Sequence, residues 1–125
     1  VEQIVDAQEA HPDALVLAHP ECKADVLAEA DYIGSTAGII KYAEESDASE
    51  FIIVTVRGVL YELERRCQGT GKKFYFPAVQ PTCVNMDLIT LEKLVHCLET
   101  GEGVSDEAAD QAKLTLDRML EYAAR

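Results

Sequence analysis

The residues best suited to chemistry in this chain stand in short polar clusters that directly follow apolar runs. Leu15-Val16-Leu17-Ala18 gives way to His19-Pro20-Glu21-Cys22. A histidine and a carboxylate two positions apart are side chains that hold and transfer protons near neutral pH. Pro20 has no N–H to donate and biases His19 away from the α region, so an extended segment must end here. A second cluster, Gly34-Ser35-Thr36, follows Asp31-Tyr32-Ile33. Hydroxyls in that place cap a helix or, with the free N–H groups of its first turn, hold a carboxylate or phosphate. A third cluster, Pro81-Thr82-Cys83-Val84-Asn85-Met86-Asp87, brings a thiol and an amide after an aromatic run.

Strands and helices must alternate to bring these clusters together. Val1 to His11 reads as a helix, with Val1, Ile4 and Val5 on one face, and Ala14 to Ala18 as the first strand. Lys23 to Ala30 has helical composition, Asp31 to Gly34 is a short strand, and a helix runs from the Ser35-Thr36 start to Ser46. Phe51 to Val56 is a continuous β-branched and aromatic run, suited to a strand buried on both faces. Gly58 to Cys67 is a helix, with Val59, Leu60 and Leu63 inward, and Lys72 to Ala78 is a fourth strand. Such alternation implies right-handed crossovers and a parallel sheet. In that architecture the clusters collect outside the carboxyl ends of the strands, where open sheets bind ligands.

The expected fold class is therefore α/β: a three-layer α/β/α unit with a small four-stranded parallel sheet over residues 1–80. Residues 81–125 add a loop and two helices, an arm suited to docking on something else. Thr90 caps the first, whose stripe is Leu91, Leu94, Val95 and Leu98, ended by Gly101 and Gly103. The second starts at Ser105 and uses Ala108, Ala112, Leu116, Met119 and Leu120. His96 and Cys97, inside the former, read as packing residues, and His11 in the breaker His11-Pro12-Asp13 reads as a solvated loop histidine.

At 125 residues the chain is one ordinary domain. Its 11 basic and 23 acidic residues give a net charge of −12, which argues against nucleic acid or an anionic membrane as partner. Val1-Glu2-Gln3-Ile4-Val5-Asp6 lacks the pattern of a secretory signal, and no apolar run reaches membrane-span length, so a cytoplasmic location is expected. Cys22, Cys67, Cys83 and Cys97 form no C-x-x-C pair, and buried thiols are the expected state. No Gly-x-Gly-x-x-Gly follows any strand, so a dinucleotide fingerprint is absent.

In their order and spacing, five stretches resemble the carboxyl-terminal part of quinolinate synthases, iron–sulfur enzymes of de novo NAD synthesis. They are His19-Pro20-Glu21-Cys22, Ala30-Asp31-Tyr32, Gly34-Ser35-Thr36-Ala37-Gly38-Ile39, Cys83-Val84-Asn85-Met86 and Thr90-Leu91-Glu92-Lys93-Leu94. The resemblance implies a site between three similar α/β domains around a [4Fe–4S] cluster with one open iron. The implied reaction condenses iminoaspartate with dihydroxyacetone phosphate, losing water and phosphate. It implies that Cys83 is a cluster ligand and that His19 and Glu21 are catalytic and contact substrate. It also implies that Ser35 and Thr36 bind substrate carboxylate or phosphate, and that Asn85 and Met86 line the site. Cys22 is not carried over as a ligand.

Three departures stand out: Ala37 where the family usually has a second serine, Val56 where it usually has glutamate, and Asp87 where it usually has lysine. Two of the three cluster cysteines have no counterpart here. The chain is therefore expected to be catalytically incomplete by itself, to need missing N-terminal domains or a partner chain, and to bind no cluster alone. The alternative is a non-catalytic module for a small phosphate or carboxylate ligand, built on the Ser35-Thr36 helix start. A further alternative is an interaction domain whose apolar helices pair with another chain.

Overall fold

In a computed structural model of the chain, residues 1–79, 82–102 and 109–124 are described. Strands β1 (Leu15–Ala18), β2 (Tyr32–Ile33), β3 (Glu50–Val54) and β4 (Lys73–Tyr75) form one parallel sheet in the order β2-β1-β3-β4. Leu15 to Ala18 align with Phe51 to Val54 in unbroken register. Helices α1 (Glu2–Ala10), α2 (Ala24–Leu27), α3 (Thr36–Glu45) and α4 (Val59–Arg66) precede or connect them.

The layers follow from chain direction. The step from β1 to β2 runs one way along the sheet, and the steps to β3 and β4 run the other way. Right-handed crossovers must then lie on opposite faces. Side chains divide accordingly. Val16, Ala18, Ile52 and Val54 pack with Ile4 of α1 and with Val26 and Leu27 of α2. Leu17, Phe51 and Ile53 pack with Ile39, Ile40 and Ala43 of α3 and with Val59 and Leu63 of α4. The apolar runs of β1 and β3 are continuous because alternate residues serve opposite faces of a doubly covered sheet.

Several elements are shorter than the composition suggests. Instead of reaching Ala30, α2 makes one turn, after which Glu29 and Ala30 donate to the carbonyls of Val26 and Leu27, three residues back. The chain tightens there because Asp31 must reach β1: its N–H donates to the Val16 carbonyl at 2.9 Å. In return, its Oδ2 accepts from the Val16 N–H at 2.7 Å. β3 stops at Val54, two residues early, because the chain then turns into α4, with the Val59 N–H donating to the Val56 carbonyl. β4 covers only Lys73–Tyr75, an edge strand paired with β3 alone, and Pro77 has no N–H for a ladder. In α1, Ile4 is buried, while Val5 and the preceding Val1 are exposed.

His11 is not a solvated loop residue: its ring stacks on Tyr75 with centroids 3.4 Å apart. The Tyr75 hydroxyl donates to Glu50 Oε2, and Lys73 pairs with Glu50 Oε1 at 2.8 Å. The Lys73 ammonium beside Glu50 holds its carboxyl below the ordinary range.

Lys72 supplies the carboxyl-end cap of α3. Its Nζ donates to the carbonyls of Ala43, Glu44 and Ser46 at 2.7, 3.0 and 2.6 Å. A cation there satisfies orphan carbonyls and opposes the negative end of the helix dipole. Lys72→Met keeps the stem and deletes the cap. It is expected to cost roughly 1.5–3 kcal/mol, measured by urea unfolding; an unchanged midpoint would contradict the capping role.

The chain divides into two compact units, Val1–Val84 and Asn85–Arg125. In the second, Met86–Leu88 form a 3-10 turn, followed by α5 (Leu91–Thr100) and α6 (Ala109–Ala123). Thr90 Oγ1 accepts from the Lys93 N–H, and Gly101 ends α5 in the left-handed conformation, φ 71°. His96 and Cys97 are exposed rather than packed, as is every residue of α5, the apolar stripe included; His96 Nε2 meets Glu102 Oε2 at 3.2 Å. The expected helix end at Gly103, the start at Ser105 and the stripe position Ala108 lie outside the described residues. Among the described residues, no helix is long and apolar enough to cross a membrane.

Candidate functional site

The sheet brings two of the polar clusters, and the turn after β3, to one edge. His19 follows β1, Gly34-Ser35-Thr36 follows β2, and Thr55-Val56-Arg57-Gly58 follows β3. Backbone bonds extend the sheet into these turns: the His19 N–H donates to the Val54 carbonyl at 3.1 Å and the Gly34 N–H to the Ala18 carbonyl at 3.0 Å. His19 therefore lies between the other two turns. The strands added after β1 lie on its two sides, β2 on one and β3 on the other, and such a switch point in strand order opens a ligand crevice at the carboxyl ends of the strands.

The environment of His19 defines its neutral tautomer. The Glu21 N–H donates to its Nδ1 at 3.3 Å. Nδ1 is thus the acceptor, and the proton of the neutral ring sits on Nε2. The ring is 27% exposed, whereas the Glu21 side chain is 89% exposed, with Oε2 3.9 Å from Nδ1. The structure brings the two residues together through the turn backbone, not as a hydrogen-bonded carboxylate–imidazole pair.

Ser35 is the N-cap of α3: its Oγ accepts from the Gly38 N–H at 3.1 Å. Its hydroxyl proton is not used by that bond. Among the described residues the Thr36 hydroxyl has no hydrogen-bond partner, and it stands at the first helical position, where N–H groups are also unpaired. Two hydroxyls, first-turn N–H groups and the positive end of a helix dipole form a donor-rich surface suited to a carboxylate or phosphate.

The thiols are dispersed. Cys22 Sγ donates to the Val54 carbonyl at 3.6 Å, and burial pushes its thiol up, so the protonated form is favoured. Cys67 is buried at the end of α4 and is likewise raised by burial. Cys83 is half-buried, and Cys97 is exposed on α5. Among the described residues no group of three or more His, Cys, Asp or Glu side chains converges to hold a metal ion. The described residues therefore assemble no cluster ligand set around Cys83. Asn85 and Met86 are exposed at the start of the second unit.

Sequence reasoning passed over Tyr32, whose ring lies against Gly34 and Gly38, on the turn that carries Ser35 and Thr36. The signal was the pair of glycines flanking the hydroxyls, four residues apart, after an aromatic residue.

A family model described as quinolinate synthetase A protein matches residues 1–121. Curated relatives agree. The quinolinate synthase of Methanoregula boonei is 40% identical over 122 residues, covering 95% of this chain and 40% of the relative. That of Caldicellulosiruptor saccharolyticus is 41% identical, covering 98% and 41%, and that of Fusobacterium nucleatum is 43% identical with the same two shares. The chain thus spans about two fifths of the length of these relatives. The family match embraces every element that builds the carboxyl edge, and the chain belongs to the quinolinate synthetase A family.

Proposed function

We propose that this chain is the carboxyl-terminal segment of a quinolinate synthase and supplies one wall of its active site. The complete enzyme would condense iminoaspartate with dihydroxyacetone phosphate in the cytoplasm, releasing water and phosphate to form quinolinate. The observation that carries the reading is the family match over residues 1–121, within which the resembling polar clusters at 19–22 and 34–36 share the carboxyl edge of one sheet.

In this reading His19 presents Nε2–H to a substrate oxygen and acts as proton donor or acceptor there. The Glu21 N–H on Nδ1 holds the ring in the required tautomer. The Glu21 carboxylate, exposed in this chain, contacts substrate once the remaining walls are present. Ser35 and Thr36 bind the carboxylate or phosphate end, and Asn85 and Met86 line the site beside the cluster. Cys83 is one ligand of a [4Fe–4S] cluster whose other ligands come from outside this chain; such a centre supplies Lewis-acid assistance to dehydration.

A chimera tests the proposal. Residues 1–125 replace the corresponding segment of the Methanoregula boonei relative, and quinolinate formation is measured after anaerobic reconstitution with iron and sulfide. Turnover by the chimera, with its loss in Cys83→Ser together with the cluster absorption, is the expected outcome. A correctly folded, cluster-loaded chimera without turnover would overturn the catalytic reading. Tight binding of dihydroxyacetone phosphate by the isolated chain would then favour the non-catalytic module.

A further inference from the structure

Tyr32 occupies space that a side chain on either of two glycines would need. A Cβ at Gly34 would meet the Tyr32 ring and hydroxyl at 2.6 Å, and a Cβ at Gly38 would meet the hydroxyl at 2.8 Å. Real Cβ atoms do not approach other heavy atoms so closely, so both positions exclude a side chain while the ring stays in place. The ring is not free to swing aside. It stacks on Tyr42, centroids 4.4 Å apart, and packs on the core face lined by Leu17, Ile39 and Ile40. Gly38 and Tyr42 are four residues apart on α3 and therefore share one helix face. The phenol lies along that face: its ring covers Tyr42, and its oxygen end sits in the notch between Gly34 and Gly38.

Gly38 is also the residue whose N–H binds Ser35 Oγ. The same point beside Gly38 that faces the Tyr32 hydroxyl lies 3.4 Å from Ser35 Oγ. The wedge and the cap thus meet at one place, the first turn of α3. Interior glycine is unfavourable in a helix by comparison with alanine, and neither Gly34 nor Gly38 has a positive φ that would require it. Clearance for the Tyr32 phenol is what these two glycines provide, for the ring and hydroxyl at Gly34 and for the hydroxyl at Gly38.

We propose that Tyr32 is the positioning residue of the Gly34–Gly38 turn: its wedged ring sets the first turn of α3 and with it the orientation of Ser35 and Thr36. The consequence for ligand binding rests on the reading of Ser35 and Thr36 as anion-binding residues. The wedge itself does not.

The test uses amide hydrogen exchange on the full chain, followed residue by residue by NMR. Tyr32→Ala is expected to accelerate exchange at Gly38 at least tenfold, with Ile53 in the core of β3 unchanged, and Tyr32→Phe, which keeps the ring at Gly34 but loses the oxygen at Gly38, is expected to fall between Tyr32→Ala and the parent. Gly38→Ala should also accelerate exchange at the first turn, against its higher helix propensity, because the new methyl displaces the ring. In the Tyr32→Ala background the same Gly38→Ala change should instead protect the turn, a reversal that simple loss of stability does not produce. Unchanged Gly38 exchange in Tyr32→Ala, equal acceleration at Gly38 and Ile53, or no reversal in the double variant would each overturn the proposal. Titration with inorganic phosphate and dihydroxyacetone phosphate then separates the two claims. Shifts at the Ser35–Gly38 amides that weaken in Tyr32→Ala and persist in Tyr32→Phe support both. An exchange pattern as expected, with no ligand shifts in the parent, would keep the wedge and remove the anion reading.

Discussion

In a complete enzyme carrying this segment, His19→Ala is expected to lower kcat/KM by about 10²–10⁴-fold, the range of general acid–base contributions. The melting temperature is expected to stay close to the parent's. The two halves of this prediction have separate sources. The ring is partly exposed at the carboxyl end of β1 and belongs to neither core cluster, so its removal leaves the packed faces of the sheet intact. Its hydrogen bond from the Glu21 N–H serves the turn rather than the ladder. In the proposed mechanism, placement at the switch point, with Nε2–H as the donor of the neutral ring, gives it a part in proton transfer. His19→Asn retains a donor of similar reach and is expected to recover binding of substrate more than turnover. Steady-state kinetics beside a thermal melt check the pair, and normal turnover in His19→Ala would remove His19 from the mechanism.

Phe51→Ala is expected to cost about 3–5 kcal/mol, as for other fully buried aromatic residues. That is a large share of the roughly 5–15 kcal/mol that stabilises a typical domain. Phe51 is fully buried at the centre of the sheet, stacked on Phe74 and packed in the cluster with Leu17, Ile39 and Leu63. The urea midpoint should fall by more than about 1 M at slopes of about 1–3 kcal/mol per molar. Leu98→Ala is the control. Leu98 is equally apolar in sequence but 78% exposed on α5, and its truncation should change stability of the isolated chain by less than about 0.5 kcal/mol. A loss at Leu98 comparable to that at Phe51 would mean that α5 packs within this chain.

The contrast between Phe51 and Leu98 marks where sequence reasoning succeeds. Phe51-Ile52-Ile53-Val54 is a run that only a doubly covered parallel strand accommodates, and the structure buries all of it. The α5 stripe is legible as an amphipathic helix, but a periodic pattern states only that one face needs a partner. Among the described residues that face is exposed, and the relatives are more than twice the length of this chain.

The His-Pro-Glu turn, the Ser-Thr helix start and the alternation of strands with helices were determined locally, by proline's missing donor, by capping and by hydrophobic period. The sequence alone therefore placed His19, Ser35 and Thr36 at strand ends and marked the family. The strand order was not local. Only tertiary structure decided that β1 lies between β2 and β3, because lateral pairing depends on contacts between residues far apart in the chain. Long-range contacts also decided the fates of single side chains. His11 stacks on Tyr75 rather than facing water, Lys72 caps a helix nearly thirty residues earlier in the chain, and Tyr32 fills the clearance left by two glycines. Composition records that a ring or a cation is present. Which surface it meets is decided by the energy of burying it against residues that only the folded sheet brings near.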